Sequence, residues 1–353
     1  MLDSNNDFKN RISEKIELYY GILVTDLQVL KTGLIHQTYK ICSNNQHYIL
    51  QIINTKIFKS PLTIHSNLIH LGDHFNKKKV SFSFPKLIFT KDHKTLITYQ
   101  EFVCRVFEEI PNTICVETCQ NSSMAFEAGS LLGKFYFELR DFKTSYLKRT
   151  LPNFHNLDKI NLQYINSVKK VPKDKLFEAL ECMIDLQKFS WIVKKYTSIK
   201  KDKLIKIRPT HHDTKISNFL FNGKDQAVAI IDFDTFMPGY FISDLGDMFR
   251  TYLPNIDERN IHISDLEIDT QKYQAIKEGF LTHAESIFTS TEIKLIPFAG
   301  YFMIYMQALR FLSDFLNNNV YYQVDYEFQN LDRAKNQCQL LQKYHQFIQY
   351  RKE

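Results

Sequence analysis

A short hairpin pattern interrupts the otherwise helical second half of the chain and constrains the fold more than any other feature. Phe219–Phe221 and Val228–Ile231 are apolar runs with the length of short β-strands. Asn222–Asp225 lies between them and has the composition of a hairpin turn. Antiparallel strands of similar length bring the end of the second beside the start of the first. We therefore expect Asn218 and Asp232 to lie close together.

The loop that enters this hairpin carries the other polar groups of a candidate reaction centre. Asp213 precedes Asn218 on this loop, and Lys215 lies between them. Phosphoryl transfer requires a carboxylate that accepts the proton of the attacking hydroxyl, oxygen ligands that hold Mg²⁺ on the nucleotide phosphates, and a nearby cation. Asp213 can serve as the base and Lys215 as the cation. Asn218 and Asp232 can serve as the metal ligands.

The hydrophobic pattern predicts a β-rich first part and a helical remainder. Residues 27–110 favour strands, because they are rich in β-branched and aromatic residues and bounded by turn formers. The predicted strands are Leu34–Cys42, Tyr48–Ile53, Lys86–Phe89, Thr95–Tyr99 and Phe102–Phe107, with a turn at Asn44-Asn45. The predicted helices are 7–20, 61–76, 124–142, 173–198, 270–288, 291–316 and 328–350. We predict an α+β fold with a small β-rich lobe over residues 1–110 and a larger helical lobe over residues 111–353.

Length and composition exclude several classes of protein. A chain of 353 residues is long enough for a two-lobed enzyme. The formal net charge is +6, but the Lys residues are scattered and no nucleic-acid-binding motif accompanies them, so we expect no nucleic-acid partner. Leu295–Leu309, the longest uncharged apolar stretch, is shorter than the ~20 residues of a membrane span. Six Cys residues without zinc-ligand spacing and a start without a signal-peptide pattern favour a cytoplasmic protein with free thiols.

The catalytic segment resembles that of protein-kinase-like enzymes. The similarity lies in His211-x-Asp213-x-Lys215-x-x-Asn218, followed by Ile231-Asp232. Within that superfamily the segment is similar to the aminoglycoside phosphotransferase and choline kinase branch, in which Asp244 matches a further aspartate. The resemblance implies a two-lobed protein-kinase-like fold, with ATP as co-substrate and Mg²⁺ as cofactor. We expect His211 and Asp244 to support the catalytic loop.

A narrower resemblance is to the N-acetylhexosamine 1-kinase-like subgroup. It is carried chiefly by Thr210–Asn218, Ile231–Gly239 and Asp244–Asp247 with Arg250. Further similar segments are Tyr48–Asn54 with Phe58, Pro152–His155, Arg310–Asp314, Tyr321-Tyr322 and Asn330–Ala334. The resemblance implies that the acceptor is a small polar molecule, an amino sugar that is phosphorylated on its anomeric hydroxyl.

The nucleotide-binding residues depart from the protein-kinase pattern. Those enzymes hold the nucleotide phosphates with a strand Lys that pairs with a helix Glu. Gln51 occupies the strand position here, and no Glu occurs from residue 18 to residue 100. Gly33 and His36 lie ahead of this strand, where kinases have the loop that covers the nucleotide. We expect Gly33, His36 and Gln51 to contact the nucleotide, with Lys56 or Mg²⁺ alone as other candidates for holding the phosphates.

The acceptor-binding residues are predicted from their position and from the subgroup resemblance. His212 either faces the acceptor or is exposed. Arg310 and Asp314 lie one helical turn apart and form an acceptor-binding wall by resemblance, while a surface ion pair is the other interpretation. Tyr321 either stacks on a sugar face or packs in the core.

Two alternative functions remain open from the sequence. The first keeps the enzyme class and changes the acceptor to an amino alcohol, an amino acid or an aminoglycoside. Aminoglycosides are polycations, so a neutral or basic wall around Arg310 would argue against them. The second is a pseudokinase that binds nucleotide without transfer, which the missing Lys and Glu favour and the intact metal ligands disfavour. A metal-dependent phosphohydrolase built on His211 and His212 would need further upstream His ligands, which the sequence does not supply.

Overall fold

The computed structural model describes residues 5–30, 35–44 and 46–351. The predicted turn residue Asn45, the predicted strand start Leu34 and the predicted nucleotide contact Gly33 lie outside these ranges. The chain divides into two compact units. Unit 1 comprises Met1–Glu117, Phe142–Leu151 and Ser217–Met237, and unit 2 comprises Thr118–Asp141, Pro152–Ile216 and Pro238–Glu353.

Strands dominate unit 1 and helices dominate unit 2. The strands are β1 (Asp26–Leu30), β2 (Gln37–Ser43), β3 (Gln46–Ile53), β4 (Ile97–Tyr99), β5 (Phe102–Glu108), β6 (Ile114–Cys115), β7 (Arg208–Thr210), β8 (Phe219–Phe221), β9 (Ala227–Ile230) and β10 (Met237–Gly239). The α-helices are α1 (Asn5–Tyr20), α2 (Pro61–Lys78), α3 (Ser122–Glu138), α4 (Leu157–Lys170), α5 (Lys173–Glu178), α6 (Leu180–Lys188), α7 (Trp191–Lys201), α8 (Phe241–Tyr252), α9 (Thr270–Ala284), α10 (Ser290–Lys294), α11 (Ile296–Leu316) and α12 (Gln329–Arg351). The predicted division into a β-rich part and a helical part is therefore present.

The main sheet of unit 1 has five antiparallel strands in the order β1-β2-β3-β5-β4. One face is apolar, and Ile41 of β2 and Leu50 of β3 are buried with Ile16 of α1. Period-two alternation turns the intervening residues to the other face. On that face the register pairs Gln51 of β3 with Arg105 of β5, so these two polar side chains lie beside each other.

The predicted hairpin is confirmed as β8 and β9, which pair antiparallel. Hydrogen bonds from Asn222 N to Gln226 O and from Asp225 N to Asn222 O close the turn, each at 3.0 Å. Strand β8 also pairs with β6, and Ser83 forms a bridge to Ala229. The hairpin therefore belongs to unit 1, whereas the sequence grouped it with the helical residues after 110. Its pairing partners lie far back in the chain, so the local pattern could not reveal this grouping.

Helix α11 is the core of unit 2 and is buried along almost its whole length. Helix α8 packs against it so closely that a Cβ added at Gly246 would lie 2.3 Å from the carbonyl oxygen of Ala299 and 2.8 Å from Met303 Cβ. This close approach fixes α8, the helix that carries Asp244 and Asp247. Among the residues that the structure describes, no helix, α11 included, is both long and apolar enough to cross a membrane.

Several predicted elements differ from the observed ones. Lys86–Phe89 is not a full strand: it makes an isolated bridge from Leu87 to Phe107, with hydrogen bonds from Ile88 N to Val106 O and from Glu108 N to Lys86 O. The predicted helix 173–198 is three helices, α5, α6 and α7. Helices α4 and α8 were not predicted, although Asn156 caps α4 by accepting a hydrogen bond from Lys159 N.

Gly246→Ala tests the close packing of α8 on α11. The added methyl group has no room against backbone atoms, so we expect the free energy of unfolding to fall by at least about 2 kcal/mol. Chemical denaturation measures the change. Gly223→Ala is the matched control, since among the described residues nothing lies within 4 Å of its added Cβ, and it should leave stability nearly unchanged. Equal effects of the two substitutions would contradict the packing account.

Candidate active site

The start of the hairpin in unit 1 brings Asn218 beside the residue that precedes Asp232. Ile231 N donates to Asn218 O at 2.9 Å, one step beyond the Phe219–Ile230 pair of the β8–β9 register. Asn218 is 4% exposed and Asp232 is half-buried. Asp232 has a φ of 64°, in the left-handed region where Asp and Asn are enriched. The expected proximity of these two residues therefore follows from the strand pairing.

The chemistry of Asn218 and Asp232 fits a magnesium ion that is shared with phosphates. Both side chains offer oxygen ligands, and Mg²⁺ in kinases is bound by one or two carboxylates together with substrate phosphates. A complete protein cage is not needed for such an ion. The described part of the chain has no cluster of three or more His, Cys, Asp or Glu side chains that could hold a metal by itself.

A buried polar network lies beside the turn that follows β9 in unit 1. Arg105 Nη2 lies 2.7 Å and 2.8 Å from the two carboxylate oxygens of Asp234. Arg105 Nε and Nη2 donate to Gln51 Oε1 at 3.0 Å and 2.8 Å. Arg105 is 1% exposed and Asp234 is 2% exposed. Burial alone would raise the pKa of Asp234, but the Arg105 guanidinium and the His36 ring hold it well below its usual value.

His36 belongs to this network, and both nitrogens of its ring make hydrogen bonds within it. Asn54 N donates to His36 Nδ1 at 3.0 Å, so the ring hydrogen is on Nε2, which donates to Asp234 Oδ2 at 2.6 Å. Both ring nitrogens are therefore used inside unit 1, and the predicted contact of His36 with the nucleotide is not favoured. The sequence analysis did not identify Arg105. Only its position opposite Gln51 could have revealed it, and that position depends on the pairing of two strands that are far apart in the chain.

Asp244 anchors the catalytic loop of unit 2. Its carboxylate accepts hydrogen bonds from His211 N at 3.0 Å, from His212 N at 2.7 Å and from the Tyr136 hydroxyl at 2.8 Å. Its own carbonyl accepts a bond from Thr214 Oγ1 at 2.6 Å. Burial raises the pKa of Asp244 to about 7, and the hydrogen bonds from His212 N and His211 N act in the opposite direction. These contacts are the loop support expected of Asp244.

The side chains of Asp213 and Lys215 form an ion pair on this loop. Lys215 Nζ lies 3.0 Å from Asp213 Oδ2, and both side chains remain partly exposed, at 30% and 24%. Asp213 N donates to His211 Nδ1 at 3.3 Å, and His211 is fully buried. The loop therefore exposes a carboxylate and an amine to solvent, while the backbone that carries them is anchored by buried residues.

His212 is buried rather than exposed, which removes one of its two predicted positions. Its Nδ1 lies 3.0 Å from Thr210 O, and only 4% of the residue is exposed. A Cβ at Gly239 would lie 2.3 Å from His212 Nε2, so this position requires glycine. The His212 ring centroid lies 5.4 Å from that of His155 and 6.1 Å from that of Phe154.

His155 and Phe154 also line a cavity of about 490 Å³ within unit 2. Arg310 lies in its wall, with the guanidinium carbon 5.4 Å from the ring centroid of Phe154 and 5.5 Å from those of Tyr321 and Tyr322. These distances are typical of cation–π contacts. Tyr321 is 58% exposed, so it does not pack in the core.

Asp314 supports the aromatic wall of this cavity instead of forming a surface ion pair with Arg310. Its carboxylate accepts bonds from Tyr321 N and Tyr322 N, both at 2.8 Å, and from Asn330 Nδ2 at 3.0 Å. Both carboxylate oxygens are thus used to hold the loop in place, and the predicted direct contact of Asp314 with substrate is not favoured.

Asp247 and Arg250 lie three residues apart on α8 and form an ion pair, with Arg250 Nη2 3.1 Å from Asp247 Oδ1. Arg250 also binds Glu258 at 2.6 Å, and Glu258 in turn binds Arg333. Burial raises the pKa of Asp247, Arg250 lowers it, and the neighbouring Asp213 raises it. A chain of alternating charges therefore begins near the catalytic loop.

Comparison with known proteins places this chain in one class, the protein-kinase-like phosphotransferases. A profile of the phosphotransferase enzyme family matches residues 26–264. The chain belongs to this family, and the predicted enzyme class, a phosphotransferase with an alcohol group as acceptor, is confirmed.

Solved structures of three other proteins show the same fold. A microcompartment-associated aminopropanol kinase is 14% identical with a TM-score of 0.67, and the match covers 96% of this chain and 98% of that chain. A spectinomycin phosphotransferase in complex with ADP and spectinomycin is also 14% identical, with a TM-score of 0.63 and the same coverage. The choline kinase LicA from Streptococcus pneumoniae is 15% identical, with a TM-score of 0.56 and coverage of 94% and 99%. The predicted protein-kinase-like α+β fold is confirmed.

His65 of α2, next to the buried network, predicts acid sensitivity. Neither of its ring nitrogens has a hydrogen-bond partner among the described residues, and burial followed by the Arg105 charge lowers its pKa to about 3. Between pH 6.5 and that value the unfolded chain binds a proton that the folded protein does not, so stability falls as pH falls.

His65→Gln should remove this sensitivity. From about pH 6 to pH 5, the free energy of unfolding of the wild type should fall by about 1.4 kcal/mol more than that of the variant, as measured by urea denaturation. The exposed His262, changed to Gln, is the control and should follow the wild type. A wild type and a His65→Gln variant with parallel pH profiles would show that His65 titrates normally.

Proposed function

We propose that this protein is an ATP- and Mg²⁺-dependent small-molecule kinase that phosphorylates a hydroxyl of an uncharged sugar, with the anomeric hydroxyl of an N-acetylhexosamine as the preferred acceptor. The observation that carries the kinase assignment is that two segments with reactive side chains are held in place by buried hydrogen bonds. One presents Asp213 with Lys215, and the other presents Asn218 with Asp232.

The proposed roles follow from the chemistry of each side chain. Asp213 accepts the proton of the attacking hydroxyl, and Lys215 offsets negative charge on the transferring phosphoryl group. Asn218 and Asp232 would hold Mg²⁺, which when bound neutralises charge on the nucleotide phosphates. His211 and Asp244 keep the loop rigid, so that Asp213 needs little reorganisation. The ADP complex of the similar spectinomycin phosphotransferase supports ATP as the phosphoryl donor.

The electrostatics of the unit 2 cavity favour an uncharged acceptor. Its charged side chains are Lys170, Arg310 and Asp314, so two cations and one carboxylate give the lining a net positive charge, and the carboxylate already accepts three hydrogen bonds from the protein. The wall is therefore cationic and disfavours polycations such as aminoglycosides. The same argument disfavours positively charged amino alcohols, the acceptor class named for the similar aminopropanol kinase.

The polar groups of this cavity suit a sugar. His155 Nδ1 and Ser313 Oγ are buried in its lining and have no hydrogen-bond partner in the described ranges of the chain. Burial and the nearby His212 and Arg310 hold the pKa of His155 well below its usual value, so the neutral ring can donate or accept. Hydroxyl and amide groups of an N-acetylhexosamine would satisfy these atoms, while its apolar face would stack on an aromatic ring such as Tyr321.

Asp213→Asn tests the proposed base. The amide cannot accept the proton, so we expect kcat to fall by about 10²–10⁴-fold while the free energy of unfolding is nearly unchanged. Mass spectrometry detects the phosphorylated product from a panel of sugars, amino alcohols, amino acids and aminoglycosides incubated with ATP and Mg²⁺.

Asp225→Asn is the matched control for this experiment, because Asp225 is an exposed carboxylate twelve positions further along the chain, in the turn of the β8–β9 hairpin. It should retain full activity. If Asp213→Asn turned over at the wild-type rate, Asp213 would not be the base; if the wild type bound ATP and modified no acceptor, the pseudokinase interpretation would replace the kinase.

Arg310→Gln tests the acceptor wall. The lost cation and its contacts should raise the KM for the sugar by about tenfold and leave the KM for ATP unchanged. Steady-state kinetics with each substrate varied in turn provides the measurement. Arg259→Gln replaces an exposed arginine of the same unit and should change neither constant. An equal rise in both KM values after Arg310→Gln would indicate a general structural effect instead of acceptor binding.

A further inference from the structure

The buried network of unit 1 contains a cation that the nucleotide-site prediction did not include. Arg105 lies on β5 directly opposite Gln51 of β3, the residue in the position where protein kinases have a phosphate-binding Lys. The guanidinium is 1% exposed, so it is inside the unit and not on its surface. Gln51 is half-buried and is therefore the more exposed member of the pair.

Arg105 determines which way the Gln51 amide points. A guanidinium has only donors, so it must face the oxygen end of the amide. Its Nε and Nη2 both donate to Gln51 Oε1, at 3.0 Å and 2.8 Å. The Nε2 end is therefore turned away from Arg105. Its contact with Thr38 Oγ1 is long, at 3.5 Å, and uses at most one of its two hydrogens.

Asp234 in turn determines the position of Arg105. Two short contacts, at 2.7 Å and 2.8 Å, join the guanidinium to the carboxylate, and both side chains are almost completely buried. His36 donates to the same carboxylate at 2.6 Å. Such paired, hydrogen-bonded charges leave little freedom for either group, since separation would leave a buried charge uncompensated. Asp234 lies two residues after Asp232, so the same carboxylate also fixes the turn that presents Asp232.

The acidic partner of Arg105 is Asp234 and not a residue of helix α2. The α2 residue that senses both Arg105 and Asp234 is His65, which is fully neutral in the folded protein at neutral pH. A carboxylate at the position of His65 would compete with Asp234 for the guanidinium. The ion pair of the kinase pattern is therefore present in another form, with the cation on β5 and the acid beside Asp232.

We propose that Arg105 is a positioning residue for ATP, which orients the Gln51 amide so that its N–H donors face the nucleotide phosphates and, through Asp234, couples that amide to the turn carrying Asp232. The proposal rests on the proposed function, because it requires the nucleotide to bind beside β3. It explains how phosphates are held without a Lys on that strand: a neutral amide donates, and a buried guanidinium polarises it.

Gln51→Glu separates this role from a structural one. The carboxylate has the shape of the amide and accepts stronger bonds from Arg105, so the fold and its stability should be kept or improved. However, it has no N–H to donate and adds a negative charge facing the phosphates. We expect the dissociation constant for ATP, measured by calorimetry, to rise at least about tenfold.

Adenosine is the discriminating ligand in the same titrations. It lacks phosphates, so its affinity should be equal in the wild type and in Gln51→Glu. Gln46→Glu is the matched control, because Gln46 lies on the same strand and is exposed, and it should leave the affinity for ATP unchanged. Wild-type affinity for ATP in Gln51→Glu, or an equal loss for ATP and adenosine, would overturn the proposal.

A second variant keeps the test valid if Gln51→Glu does not fold. Arg105→Met with Asp234→Asn removes both buried charges together, so neither is left unpaired, and it frees the Gln51 amide to rotate. We expect weaker ATP binding and a raised KM for ATP with a smaller change in kcat. Unchanged ATP binding in this double variant would also overturn the proposal. A wild type that binds neither ATP nor adenosine would instead contradict the proposed function itself.

Discussion

The ion pair between Arg105 and Asp234 is the constraint on which the proposed nucleotide-binding side of this protein depends. Each charge is almost completely buried, so each would cost several kcal/mol without the other. The turn after β9 is consequently tied to β5 of the main sheet. Asn67 of α2 reinforces this arrangement by donating to Phe236 O at 2.8 Å. The turn that carries Asp232 is therefore held by contacts within unit 1, and in the proposed function this supplies the preorganisation that phosphoryl transfer needs.

Buried carboxylates play the same part in unit 2. Asp244 accepts bonds from two backbone N–H groups of the catalytic loop, and Asp314 accepts bonds from two backbone N–H groups of the aromatic loop. Each acid orders a segment whose other side chains have the proposed roles in chemistry or in acceptor binding. Asp213 differs from both, because its carboxylate is paired with a lysine and remains partly exposed. Burial and the identity of the donors thus separate the supporting acids from the proposed base.

The sequence was most informative where partners are close along the chain. The β8–β9 hairpin, the proximity of Asn218 and Asp232, and the family were all predictable, because they depend on local alternation, turn composition and a motif of fixed spacing. Residues far apart in sequence were not predictable in the same way. Arg105 and Asp234 are 129 positions apart, so no local pattern links them, and His36 and Asp314 were assigned to ligands although each is occupied by the protein itself. Helix α4 was missed despite its Asn156 cap.

The three proteins of similar structure are named for three different small acceptors: aminopropanol, spectinomycin and choline. The fold alone therefore does not determine which acceptor an enzyme uses. In this protein we propose that the acceptor is selected by a cationic, aromatic cavity. Two buried polar atoms of its described lining have no hydrogen-bond partner. Phosphorus NMR of a reaction containing the protein, ATP, Mg²⁺ and N-acetylglucosamine or N-acetylgalactosamine tests this account most directly. The account predicts ADP and an equal amount of a new phosphomonoester whose resonance is coupled to the anomeric proton. Release of inorganic phosphate alone, or a phosphomonoester coupled to any other sugar proton, would contradict it.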